Sequence, residues 1–464
     1  MTAPPFSSIE VIMRRWLLPV SLLLVAAPIA AQEGIARQYR ATADRIIAAA
    51  LADSAAYARL AELADRFGHR FSGSDALEDA LDWILAEMAR DGLANVRGEP
   101  VMVPVWVRGE ESAELVAPRA QPLPMLGLGG SVATPPEGIT AEVLVVGGFE
   151  ELTARAAEAR GKIVLFDVPF TTYGETVRYR ANGAVAAARA GAVASLIRSV
   201  TPNSQRTPHT GMMLYADSVA RIPHAALTVE DAIMLHRMQD RGERIVIRLR
   251  MSARDLPDRE SRNVVAELVG RERPDEVVVL GGHTDSWDVG QGAMDDAGGV
   301  VAAWEALRVL KRLGLTPRRT IRVVGWTNEE NGLRGGTAYR DAHRATLDRH
   351  VLAIESDAGV FAPEGFGFTG SDAAFAIVQE VGALLEGIGA GQIQRGGGGA
   401  DIGPIMREGV PGMGLNVDGT RYFWYHHANG DTVDKLDPRE MGLCVAALAV
   451  MAYVIADLPE GLPR

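Results

Sequence analysis

Cysteine is almost missing from this 464-residue sequence: the single Cys444 excludes an intrachain disulfide and any thiolate cluster for a metal. It lies in the apolar run 441–451, the setting of a buried small residue. Lysine is nearly missing too, occurring only at Lys162, Lys311 and Lys435, and the remaining basic residues are arginine, as GC-rich codon usage gives. Positive charge is outweighed. A net charge of −12 argues against a general nucleic-acid binder. A long unbroken hydrophobic run is also lacking, since the apolar stretch 16–31 is short and broken by Pro19 and Pro28, which speaks against a membrane span.

That stretch follows Arg14-Arg15 and ends in small residues, so residues 1–31 read as a secretory signal peptide, with Met13 a candidate start and cleavage near Ala31-Gln32. With no cysteine near the cleavage region, no lipid anchor is expected. The sequence therefore predicts an exported protein, periplasmic or secreted, without a stable membrane anchor. What remains is ordinary globular material, 47% hydrophobic and 23% charged, long enough for two to three domains.

Residues 38–94 read as helical. Apolar residues at three- and four-residue spacing predict helices over 46–63 and 77–88, separated by the loop Gly68-His-Arg-Phe-Ser-Gly-Ser74 and closed at Asp91-Gly92. The segment 96–107 alternates like a strand. From about 111 to 255 the character changes to short β runs (141–146, 162–167, 194–198, 245–251) between glycine-, proline- and alanine-rich helices. This stretch clusters no metal ligands, and His209 and His224 within it read as surface or packing residues. It predicts a separate module, 111–255, inserted into a larger domain made of 32–110 and 256–464.

From Arg262 onward strand, loop and helix alternate. Strands are expected at 277–280, 320–326, 350–355, 365–369 and 411–417, with helices at 298–313, 372–386 and 438–455. Continuous apolar strands alternating with helices predict an α/β fold, a mostly parallel mixed sheet covered by helices on both faces. Ligands bind beyond the carboxyl ends of such strands. His283 and Asp285 follow the first strand, Glu329 and Glu330 the second, Asp357 the third; Asp295-Asp296 and His426-His427 lie in glycine-containing loops. Carboxylates gathered so closely resist ionisation unless a cation offsets them. Histidines and acids without thiolates fit catalytic zinc, with cobalt or manganese as substitutes. Two such ions favour hydrolysis, with a glutamate suited to act as base.

Gly282-His-Thr-Asp-Ser-Trp-Asp-Val-Gly-Gln-Gly-Ala-Met-Asp-Asp296 resembles the co-catalytic zinc exopeptidases related to carboxypeptidase Q, as do Trp326-Thr-Asn-Glu-Glu-Asn-Gly332, Glu355-Ser-Asp-Ala-Gly359 and His426-His-Ala-Asn-Gly-Asp-Thr432. The resemblance runs from about residue 40 to the end and is densest over 262–440. It implies two zinc ions per chain, one held by His283 and Asp357, the other by Glu330 and His427, with Asp295 shared. It gives Glu329 the role of base toward the bridging water and donor to the leaving amine. Asp285 would hydrogen-bond the ring of His283, and Asp431 would serve His427 similarly. Asp296 would be structural.

His426 stands where related enzymes carry an oxyanion-binding tyrosine, with Tyr425 one place back; it is either a catalytic donor to the oxyanion or a histidine packed by Phe423 and Trp424. Asp401, after the glycines 396–399, either accepts a substrate ammonium or caps a helix starting at Ile402. The module 111–255 resembles a protease-associated domain, which implies a lid or access role rather than chemistry. Small peptides are the implied substrates, cleaved in a dipeptidase- or aminopeptidase-like reaction, and relatives suggest a homodimer. Two other readings share the scaffold. One is a related zinc amide hydrolase or glutaminyl cyclase, of which the cyclase typically keeps a single zinc, and the other a non-catalytic binding protein, which loses ligands; here the full set is present.

Overall fold

The computed structural model describes residues 34–464, so the expected signal peptide lies outside the described residues. Two eight-stranded sheets carry the chain. In the first, Arg319–Trp326, Arg273–His283, His350–Glu355 and Gly412–Val417 form a parallel quartet. Antiparallel strands flank it: Arg254–Leu268 and then Ala94–Val107 on one side, Pro363–Thr369 on the other. Gln392–Arg395 closes the far edge, parallel to Pro363–Thr369.

The apolar run at 277–280 explains why this sheet has two covered faces. Side chains alternate along a strand. Val278 and Leu280 enter the core shared with Gly298–Arg312 and Pro438–Asp457, while Val277 and Val279 enter a second core containing Tyr339, Ile402 and Ile405. Pro438–Asp457 is capped by Asp437, which accepts from the amides of Arg439 and Glu440, and has proline at its first position. Among the described residues it is the one helix long and apolar enough to cross a membrane, yet it is buried in the first core. Cys444 lies inside it, fully buried, its thiol donating to the Phe361 carbonyl at 3.2 Å.

The periodicity over 46–63 predicts one helix, but the structure has two, Ile35–Leu51 and Ala55–Phe67. Asp53 makes the break. Its carboxylate accepts from the Ala55 amide at 3.0 Å and pairs with Arg308 and Arg312, a local bond that competes with helix continuation.

The second sheet is built from residues 111–251. Its own parallel quartet is Ile139–Val146, Ile163–Phe166, Ala194–Arg198 and His224–Leu227. Chain exit and return are neighbours, because Val107 pairs with Arg254 across the first sheet. The loops after the two quartets face each other. Phe170 and Tyr173 pack on Phe423 at 5.3 and 5.1 Å between ring centroids, and the Thr201 hydroxyl donates to the Phe423 carbonyl at 2.6 Å.

Candidate active site

Parallel register levels the strand ends. His283 pairs with Trp326, and Gly281 with Glu355, so His283, the turn 327–330 and Asp357 emerge at one edge. The fourth strand of the quartet leads through the turn Tyr422–Tyr425 to His426 and His427. All of the acids and imidazoles singled out in the sequence as metal ligands meet here. His283 Nε2 lies 3.1 Å from Asp295 Oδ1 and 3.4 Å from Asp357 Oδ1. His427 Nε2 lies 3.4 Å from Asp295 Oδ2 and 3.1 Å from Glu330 Oε2. Asp295 thus stands between two half-sites.

The turn that carries Asp295 is held by main-chain donors. Asp431 accepts from the consecutive amides of Ala293, Met294 and Asp295 at 3.1, 2.7 and 3.2 Å. Asp296 accepts from the amides of His283 and Gly299, each at 3.0 Å, a structural role as expected. Those contacts require glycine nearby. A Cβ on Gly282 would stand 2.2 Å from Asp296 Oδ2, and one on Gly299 would stand 2.4 Å from its Oδ1.

Burial and crowding set the electrostatics. Burial, then Asp295, push the Glu330 carboxyl up to about 7. Burial lowers His427, but Glu330 and Asp295 more than offset it and bring the ring to about 9. His283 is likewise raised by Asp357 and Asp295 against burial. Asp295 moves the other way: its two imidazole partners hold it well below the usual carboxylate range in spite of burial. Burial and the charges of Asp357 and Glu330 push Glu329 well up. Burial and its neighbour His427 keep His426 neutral.

The donor set fits a divalent ion. Three overlapping groups (His283, Asp295, Glu330; His283, Asp296, Asp357; Asp295, His426, His427) each bring donor atoms within 4.8 Å of one another. Asp295 Oδ2 and Glu330 Oε1 are buried without any hydrogen-bond partner. Buried carboxylate oxygens left bare call for a cation.

Several expected roles are corrected. The ring Nδ1 of His283 donates to the main-chain carbonyl of Asp285 at 2.9 Å, while the carboxylate is 3.8 Å away. That carboxylate accepts instead from the amides of Glu329 and Glu330 at 3.0 and 3.3 Å, so it shapes the turn bearing both glutamates. Asp431 supports Asp295 rather than His427, because the amides of the 293–295 turn converge on it. Asp401 is not a helix cap: the helix Gly403–Met406 is preceded by Ile402, and the Glu355 carboxylate takes the amides of Asp401 and Ile402. Both Asp401 oxygens are buried without partners. Of the two readings of His209, surface or packing, the structure gives packing: it is buried, and its Nδ1 donates to the His426 carbonyl at 2.6 Å.

His426 stacks on His427 with centroids 3.5 Å apart and places Nε2 3.7 Å from Asp295 Oδ2. Its other ring neighbours are Tyr173, Tyr422 and Phe423, whereas Trp424 is exposed. Tyr422, not Tyr425, faces the site. One helical turn separates it from His426, a spacing that puts both on one face.

Three further residues escaped the sequence reading. Arg70, fully buried, donates to the carbonyls of Thr284, Gly68, Gln291 and Gly292 at 2.7–3.0 Å and ties down the loop beyond His283. Tyr173 and Arg180 come from the second sheet. With the first-sheet acids and histidines they line a cavity of about 340 Å³. A larger surface groove of about 730 Å³ lies on the second sheet near Phe149 and Leu214, and neither acid nor histidine lines it.

Comparison with known proteins agrees with this geometry. Residues 263–452 match the description "Peptidase family M28". Carboxypeptidase Q of Xenopus laevis is 52% identical over 413 residues, 89% of this chain and 88% of that protein. The chain belongs to peptidase family M28. Human carboxypeptidase Q is 50% identical to this M28 chain over the same shares of each. A crystal structure of a peptidase M28 precursor from Shewanella amazonensis superposes with a TM-score of 0.89 at 36% identity, covering 92% of this chain and 99% of that one. The M28 chain is a zinc metallo-exopeptidase, a hydrolase of peptide bonds.

Proposed function

We propose that the protein is an exported two-zinc exopeptidase that hydrolyses dipeptides and other small peptides with a free amino terminus. The observation that carries this reading is the pair of half-sites sharing Asp295, each with its own histidine and carboxylate. His283, Asp357 and Asp295 would hold one zinc, and Glu330, His427 and Asp295 the other. Zinc there would supply Lewis acidity and the counter-charge that the crowded carboxylates require. Glu329 lines the cavity beside this set. Its raised proton affinity suits a base that takes a proton from the attacking water and returns it to the departing amine. His426, neutral and facing the same cavity, donates a hydrogen bond to the oxyanion as it develops.

In this reading, residues 111–255 form an inserted module of the protease-associated type. The kinship to carboxypeptidase Q and the signal-like segment support export. The test is metal analysis together with a dipeptide panel. Two zinc ions per chain are expected, with activity lost on chelation and restored by zinc, cobalt or manganese. A stoichiometry of one tightly bound zinc, or no cleavage of any dipeptide by the loaded protein, would sink the reading.

A further inference from the structure

Arg180 leaves the second-sheet helix Tyr173–Arg189 and reaches the cavity, only 6% exposed. Among the described residues that line this cavity it is the only arginine or lysine. Its Nε donates to the Met212 carbonyl at 3.3 Å, its Nη1 to the Thr210 carbonyl at 3.5 Å and its Nη2 to the Tyr173 hydroxyl at 2.8 Å. Nη1 also lies 3.4 Å from His427 Nδ1. None of these partners carries a negative charge. The Tyr173 ring, 5.5 Å from the guanidinium carbon, offsets little of the cost of burying a cation. The carboxylates across the cavity are the ones that zinc would neutralise.

An anion is therefore wanted at the His427 end of the cavity. A peptide carries one such group at a fixed place, its terminal carboxylate. The volume of about 340 Å³ sits at the small end of ligand sites, which span about 300–1,000 Å³. We infer that Arg180, contributed by the second sheet, binds the C-terminal carboxylate of the substrate and so selects unblocked dipeptides over longer or amidated ones. This deepens, and rests on, the peptidase reading.

The test compares alanyl-leucine with its C-terminal amide on the zinc-loaded full chain. The free acid should be favoured in kcat/KM by about 100-fold, the scale of a lost charge-assisted hydrogen bond. Arg180→Met should bring that ratio to within about 3-fold, and Arg180→Lys should leave it near 10-fold. A purely structural role would lower both substrates together and keep the ratio, which overturns the inference. A wild-type ratio near one overturns it without any variant. Calorimetric binding of the same two peptides to zinc-loaded Glu329→Gln separates the two readings. Cleavage of neither peptide counts against the peptidase reading, whereas equal affinity for acid and amide counts against Arg180. Should Arg180→Met fail to fold, Tyr173→Phe, which removes the hydroxyl holding Nη2, should lower the ratio several-fold; an unchanged ratio there overturns the inference.

Discussion

Each sheet has eight strands and a parallel quartet, and the loops after both quartets meet at one cavity, yet they bring different chemistry to it. The first sheet delivers carboxylates and imidazoles from strand ends levelled by register. The second delivers a cation, a phenol and the clamps on the His426 and His427 carbonyls, made by His209 Nδ1 and the Thr210 amide at 2.6 and 2.9 Å. His427 needs such a clamp, for its φ of +59° is unusual for a residue with a side chain. Strand-end geometry collects reactive groups wherever it occurs; which groups it collects decides whether a sheet performs chemistry or recognises what undergoes it.

If the division is right, substitutions on the first sheet change kcat or metal content, and those on the second change selectivity or stability. The largest effect falls on Glu329→Gln, expected to lower kcat by about 100- to 10,000-fold with little change in KM, read by steady-state kinetics on a dipeptide. Full activity in that variant would remove the first sheet's claim to the proton. Next is the joint between the sheets. Trp287 is 2% exposed, packs on Phe71 at 4.9 Å and fills the space a Cβ on Gly129 would need, 2.0 Å from its ring. Trp287→Ala should cost about 3–5 kcal/mol in equilibrium urea unfolding, and a loss below about 1 kcal/mol would show that the sheets stand without it.

Asp431→Asn weakens the support of Asp295. Zinc affinity should fall about 10- to 100-fold in a chelator competition, and unchanged affinity would deny that support. The smallest effect concerns acid. His224, fully buried on the second sheet, is lowered by burial to about 4. Its unfolded value is about 6.5, so the unfolded chain binds the proton and stability is lost as pH falls from there toward 4. Between pH 6.5 and 5.5 that loss is roughly 1 kcal/mol, and His224→Gln should flatten the slope of unfolding free energy there by about 0.7 proton. An identical slope in wild type and variant would exonerate His224.

The sequence is most readable where one local rule dominates. The strands at 194–198 and 350–355 are apolar runs with sharp ends, and they stand where the periodicity puts them. The metal-type side chains follow such strands, and register alone brings them together. Arg254–Leu268 is harder to see, since its first seven residues are exposed, mostly charged and interrupted by Pro257, and look like a loop; pairing with Ala94–Val107 makes them a strand. The acid groups of Asp285 and Asp431 are plain in the sequence, but their partners are amides from turns whose shape no pattern announces. Arg70 and Arg180 sit in a stretch resembling any loop and in an ordinary helix. Their meaning depends on what another element places opposite them, and that is tertiary information.

Arg70 bears on what holds the loops of this enzyme in place. Its guanidinium spends its donors on four main-chain carbonyls, while Asp285, Asp296 and Asp431 take main-chain amides, so the loops bearing the metal-type side chains are braced by protein atoms alone. Three buried acids and one buried arginine in these loops thus spend their hydrogen bonds on peptide groups rather than on one another, so the frame around the cavity is written in main-chain dipoles.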